Sequence, residues 1–342
     1  MPLPFPGGTE ISARAGRKAR GILEGTCEVF MKYLRDFLPL LLAAAILSGC
    51  GANDSAAAGG SVAERIDSAW QNYRLNEWSL ALRDFESAIA DTEPGGEDWA
   101  MCQYGIATTW AQRRPGEDPK KARDMYQELL AKAPQSAMAP WTELALARMI
   151  HLVPVGQDPD YPEVRKLYKA IEDKYPGHLA AKEAFMYRMS TLIASLDDDL
   201  MNEAADELEK FVQGESQEFV GSSYSLLSVV YNMTGQQEKR LWAEENAFDK
   251  TEVDPADPSV EFAWAYWNLA CISEFELGDF ARARKYYNEL MEKYPSDIRI
   301  HGCKSALKRM DEIESRIRED IRLGRPTARP GTDKADADKP EA

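Results

Sequence analysis

The stretch WAYWNLACISEFELGDFARARKYYNELMEKYPSD, residues 264–297, decides the fold. Trp267 and Cys271 stand four apart, as do Ala283 and Tyr287, with Leu290 three further on. Steps of three and four place each set of anchors on one face of a helix. Gly278-Asp279 separates the two sets, and glycine accommodates the left-handed backbone of a tight turn. Pro295 lacks the N–H that a helix interior needs, so it ends the second helix. A small residue at Ala283 lets a paired helix come close, and Tyr287 fills the space beside it. One such pair cannot bury its own apolar face, so pairs must stack.

Working outward, the second-helix signature recurs. Ala122, Tyr126, Leu129 and Pro134 share its spacing, as do Val164, Tyr168, Ile171 and Pro176. Ala81, Phe85 and Ala88 form a weaker copy, and so do Ala204, Leu208 and Phe211. Tyr224, Leu227, Ser228, Tyr231 and Gly235 read as another first helix followed by a degenerate second one. The anchors Ala81, Ala122, Val164 and Ala204 lie about 40 residues apart, a spacing that marks an internal repeat. The pattern predicts six helix pairs between residues 61 and 300. A final stripe of Cys303, Leu307, Met310, Ile313, Ile317 and Ile321 predicts a helix over 301–323 that caps the last pair. Residues 324–342 are too polar to fold and read as a disordered tail.

The final unit, through Trp267, Gly278, Ala283, Tyr287 and Pro295, resembles the tetratricopeptide repeat family. The first unit matches it in part at Ala69, Asn76, Trp78, Ala81 and Phe85. The resemblance implies an all-α fold, a right-handed superhelical solenoid of about six TPR-like helix pairs with a C-terminal capping helix. Two departures stand out. The period exceeds the family's roughly 34 residues, and the loops AQRRPGEDPKK (111–121) and HLVPVGQDPDYPE (151–163) are longer than its turns.

The N-terminal region reads differently. MKYLRDFLPLLLAAAILSGC, residues 31–50, carries Lys32 and Arg35, then an apolar run from Phe37 to Leu47, then small residues before a cysteine. Eleven residues cannot cross a bilayer, which takes about 20, but the layout is that of a secretory signal. Leu47-Ser48-Gly49-Cys50 resembles the bacterial lipobox, which implies that 31–49 is a lipoprotein signal peptide and that Cys50 is lipidated. Residues 50–60 then form the lipidated cysteine and a flexible tether, and 1–30 an unstructured upstream extension. With this tetrad, the phrases EDKYPGHLAAKEA (172–184) and MEKYPSDIRIHGC (291–303) resemble BamD-like lipoproteins and the repeat proteins of the Tol-Pal system. That resemblance implies a bacterial envelope protein at the outer membrane, facing the periplasm, serving outer-membrane protein assembly or envelope organisation.

Composition narrows the partners. From Cys50 onward there are 35 basic and 53 acidic residues, a net charge of −18. Such a chain repels phosphate backbones, which excludes nucleic acid as a partner. It is also poorly suited to lying on an anionic bilayer, so membrane attachment rests on the lipid. Cys102, Cys271 and Cys303 fall in no metal-ligand spacing. Cys102 and Cys271 read as small buried hydrophobes, with a Cys271–Cys303 disulfide the alternative.

No catalytic residue, metal site or cofactor site is expected. His151, His178 and His301 are far apart, and no hydrolase, phosphate-loop or dinucleotide motif is present. Ser305 to Lys308 matches SxxK without companion motifs, and Asp197-Asp198-Asp199 reads as a solvated turn rather than a calcium loop. Trp78 and Trp267 take repeat-core positions. The expected function is a protein–protein interaction scaffold binding envelope proteins or peptide segments in a groove of first helices, with Ser225, Asn232, Asn268, Ile272 and Phe275 as candidates. The Lys and Asn set that holds a C-terminal carboxylate in some family members is missing, Ser225 and Val229 standing at two of its positions. The competing class is a surface glycan-binding lipoprotein with helical repeats.

Overall fold

Aspartates open most of the second helices. Asp118, Asp160, Asp197 and Asp279 each accept a hydrogen bond from a backbone N–H two or three residues on, at 2.9–3.1 Å. Such caps satisfy donors that the first turn of a helix leaves free, and their charge suits the helix N-terminus. Asp197 is thus a helix cap, and Asp198 and Asp199 form the first turn behind it. Ser61 and Glu64 close a reciprocal capping box at the first helix.

The computed structural model describes residues 60–325 apart from 155, 215–216 and 251–261. The extension 1–30, the signal 31–49, Cys50 with the tether up to residue 59, and the tail from 326 lie outside the described residues.

Among the described residues six first helices alternate with six second helices: α1 (Val62–Arg74), α2 (Trp78–Ile89), α3 (Glu97–Gln112), α4 (Pro119–Lys132), α5 (Ala139–His151), α6 (Tyr161–Lys174), α7 (Leu179–Ala194), α8 (Asp198–Val212), α9 (Val220–Met233), α10 (Gln237–Asp249), α11 (Ala263–Cys271) and α12 (Phe280–Lys293). A thirteenth, α13 (Ile300–Arg322), closes the described chain. The fold class is all-α, a helical-repeat solenoid, with no strand among the described residues. Four turns between first and second helices place their middle residue in the left-handed region: Asn76 (φ 62°), Leu196 (φ 56°), Gly235 (φ 73°) and Gly278 (φ 67°). The two other first-to-second connections are the long loops seen in the sequence.

The chain divides into two units, residues 1–194 and 195–342, so the expected fourth pair, α7 and α8, is shared between them. In the first unit the predicted anchors Ala81, Phe85, Ala88, Ala122, Tyr126, Leu129, Val164, Tyr168 and Ile171 are all buried. In the second unit Ala283, Tyr287 and Leu290 are fully enclosed, packing with Leu269, Ala270, Cys303 and Met310. Cys102, Cys271 and Cys303 are free thiols, and Cys271 is only half-buried. Trp267 packs edge-on to Tyr287 at 5.5 Å, whereas Trp78 is a half-buried ring against Tyr73 at 5.2 Å.

The cap covers less than its stripe promised. Cys303, Ala306 and Met310 are buried, but Ile321 is 65% exposed. At 1.5 Å per residue, the 23 residues of α13 run about 13 Å past the 14-residue α12 on which it packs. Arg284 of α12 extends the contact through ion pairs to Asp311 (2.8 Å) and Glu314 (2.9 Å).

Candidate interaction groove

The first helices α1, α3, α5 and α7 of the first unit bring a set of aromatic and charged side chains together. α1 contributes Trp70 and Tyr73, whose rings lie 5.5 Å apart, and Trp70 reaches Tyr104 of α3 at 6.3 Å. α5 contributes Arg148. Its guanidinium sits 5.2 Å over the Tyr187 ring of α7, with Nη1 3.6 Å from Glu183 Oε1 on the same helix. Beneath this rim the second-helix anchors support it: Tyr126 shares a 2.8 Å hydrogen bond with Thr108, and Tyr168 stacks on Tyr187 at 5.5 Å.

Burial sets the electrostatics. It pushes the Tyr187 phenol up to about 12, with Glu183 and Tyr104 adding to the shift and Arg148 opposing it. Tyr73 and Tyr104 are raised for the same chief reason, so all three remain neutral hydrogen-bonding groups at physiological pH. Glu183 is 1% exposed, and neither carboxylate oxygen has a hydrogen-bond donor among the described residues. Burial raises its pKa, and Arg148 pulls it part of the way back. Burial also opposes the charge on Arg148, but its neighbours Tyr187 and Glu183 more than restore it.

His151, at the end of α5, shares a 3.0 Å hydrogen bond between its Nδ1 and the Tyr168 hydroxyl and meets Tyr161, Tyr168 and Tyr187 edge-on. Burial, then the charge of Arg148, lowers its pKa to about 4. The unfolded chain therefore binds a proton near pH 6.5 that the folded chain refuses until about pH 4. His151's contribution to stability is full above pH 6.5 and is lost as pH falls through that window. Urea unfolding of His151→Phe should show a shallower loss of stability than wild type between pH 6.5 and 4. Equal slopes would mean the imidazole is not held neutral.

None of Tyr73, Tyr104, Arg148, Glu183 or Tyr187 stands out in the repeat signature, which is written in the second helices. One signal was present. The run LAAKEAFMYRMSTLIA is apolar nearly all round, the mark of a buried helix, so a carboxylate within it has to be buried too. α7 does bury Ala180, Glu183, Met186, Tyr187 and Leu192 from several sides.

Residues 101–136 and 264–297 match the tetratricopeptide repeat family model. The chain carries tetratricopeptide repeats. It is accordingly a protein–protein interaction scaffold. A search of curated proteins finds no match. Among solved structures it is similar to PilW, described as a widely conserved type IV pilus biogenesis factor, at 14% identity and a TM-score of 0.46, covering 72% of this chain and 96% of that one. It is also similar to an assembly chaperone of RpL4 (Acl4), at 13% identity and a TM-score of 0.39, covering 75% and 99%. Likeness at this level assigns neither partner nor pathway.

The groove residues expected in the last two helix pairs fall in different environments. Ser225 and Asn232 on α9 are exposed; the Ser225 hydroxyl donates to the Gly221 carbonyl at 3.2 Å, and Asn232 accepts from Arg240 at 2.8 Å. Asn268 is half-buried on α11. Ile272 is buried in the core of the last helix pair. Phe275, only three residues on, is 63% exposed beneath the Arg309 guanidinium at 5.1 Å. The reason is a π-turn over Ile272–Glu276. Its wider winding departs from the α-helical register that would set Asn268, Ile272 and Phe275 on one face.

Proposed function

We propose that this chain is a scaffold tethered in a bacterial cell envelope by lipid on Cys50, facing the periplasm from the outer membrane. It gathers protein segments for outer-membrane protein assembly or envelope organisation. In this reading residues 31–49 are removed and 50–60 form the tether. Ten residues of Gly, Ala and Ser-rich coil span about 17–19 Å, which keeps the first repeats near the bilayer and its proteins.

The observation that carries the scaffold reading is the face shared by α1, α3, α5 and α7. Partly exposed tyrosines beside an arginine combine apolar area with hydrogen-bonding tips, the composition of protein contact sites. Cross-linking and affinity recovery from detergent-solubilised envelopes tests it. Tyr73→Ala with Tyr104→Ala should lose the wild-type partner while the helical circular-dichroism signal is kept, and Cys50→Ala should lose lipid labelling. Unchanged partner recovery in the double variant would remove the groove from the function. Retention of glycan in place of protein would favour the glycan-binding class.

A further inference from the structure

Arg148 is placed as a recognition group whose donors are unspent. Among the described residues it is the cation acting on Tyr73, Tyr104, Tyr187, Glu183 and His151. Its guanidinium makes an ion pair at 3.6 Å and a ring contact, but no hydrogen bond among the described residues. Arginine carries five N–H donors in a planar fork that matches a carboxylate with two parallel bonds. The side chain is 29% exposed while Glu183 behind it is 1% exposed, so a ligand entering the groove meets the cation first. Glu183 orients the guanidinium from below and is out of a ligand's reach.

We propose that the first unit selects an extended polypeptide segment by an internal aspartate or glutamate side chain seated on Arg148. This rests on the scaffold reading above and names what that groove recognises. A carboxylate suits the site because Arg148 presents an unspent planar fork, and burial opposes a competing charge on the Glu183 carboxyl behind it. A phosphate, carrying about two negative charges, would leave one of them unmatched by a single guanidinium. The half-buried rings of Tyr73 and Tyr104 lie beside Arg148, so the segment that seats its acid there continues over them.

The full chain is probed with an array of acetylated, amidated mixed-sequence peptides, beside matched sets with Gln for Glu, phosphoserine, or a free C-terminal carboxylate. Wild type should favour Glu or Asp at an internal position, and R148Q should weaken that binding about ten- to a hundredfold, the range for a hydrogen bond to a charged group. Because R148Q strands Glu183 without its cation, R148Q with E183Q is measured too and should show the same loss with its circular dichroism intact. R148K should recover only part, since an ammonium keeps the charge but not the fork. Carboxylate preference persisting in the double variant overturns the proposal. So does preference confined to free C-termini or to phosphoserine, or no preference at all. Envelope partners recovered equally by the R148Q/E183Q variant but lost from the Tyr73/Tyr104 variant would overturn this inference and leave the scaffold reading standing.

Discussion

Gly105→Ala is expected to destabilise the first unit by about 1–3 kcal/mol, although alanine ordinarily strengthens a helix interior by up to about 1 kcal/mol over glycine. Gly105 lies in the middle of α3, where a β-carbon would land on Phe85 Cζ and come within 2.6 and 2.7 Å of Cε1 and Cε2. Phe85 is fully enclosed, so its ring has no direction in which to retreat. The close approach of α2 to α3 thus depends on a missing methyl group. Gly302→Ala is the informative comparison: its β-carbon would meet the rim of Trp267 at 2.7 Å, but that ring is only half-buried and has room to shift. Urea unfolding should place Gly105→Ala well below Gly302→Ala, and Phe85→Leu should restore part of what Gly105→Ala loses. A Gly105→Ala midpoint at or above wild type would show that α2 and α3 are not packed this closely.

Arg309→Ala should be the most damaging surface change in the second unit. Glu274 is 2% exposed at its side chain and is held by Arg309 Nε and Nη2 at 2.9 and 2.6 Å and by the Tyr287 hydroxyl at 2.9 Å. Removing the partner of a buried ion costs about 3–5 kcal/mol. The lower end applies, because Arg309 is 42% exposed and its loss admits some water to the carboxylate. Truncation also releases α13, since this ion pair fastens the cap to the π-turn. Glu274→Gln combined with Arg309→Ala should be milder than Arg309→Ala alone, as no buried charge is then stranded. Hydrogen exchange should report the loss first in α13 and α12. Wild-type protection there in Arg309→Ala would refute the fastening role.

The amino-acid pattern alone determined the repeat. Ala81, Ala122, Val164 and Ala283, each with an aromatic four residues on, are second-helix positions whose burial depends on contacts within a pair. Local periodicity reports such contacts directly. Gly278 and the two long loops were legible for the same reason, whereas the capping role of Asp118, Asp160, Asp197 and Asp279 emerged from the structure. The cap's stripe was legible as a helix, but its length relative to α12 decided that Ile321 stays exposed. The candidate interaction face was not legible, because it is assembled across pairs. Tyr73, Arg148 and Glu183 come from three helices spread over more than a hundred residues, and the window of each says nothing of the other two. Only stacking brings them together, and only enclosure makes a lone carboxylate on α7 a partner for one arginine on α5. Ile272 and Phe275 show the same limit within one helix: a 3.6-residue reading puts them on one face, and the π-turn, stabilised by tertiary contacts of Glu274 with Tyr287 and Arg309, sends one inward and the other out.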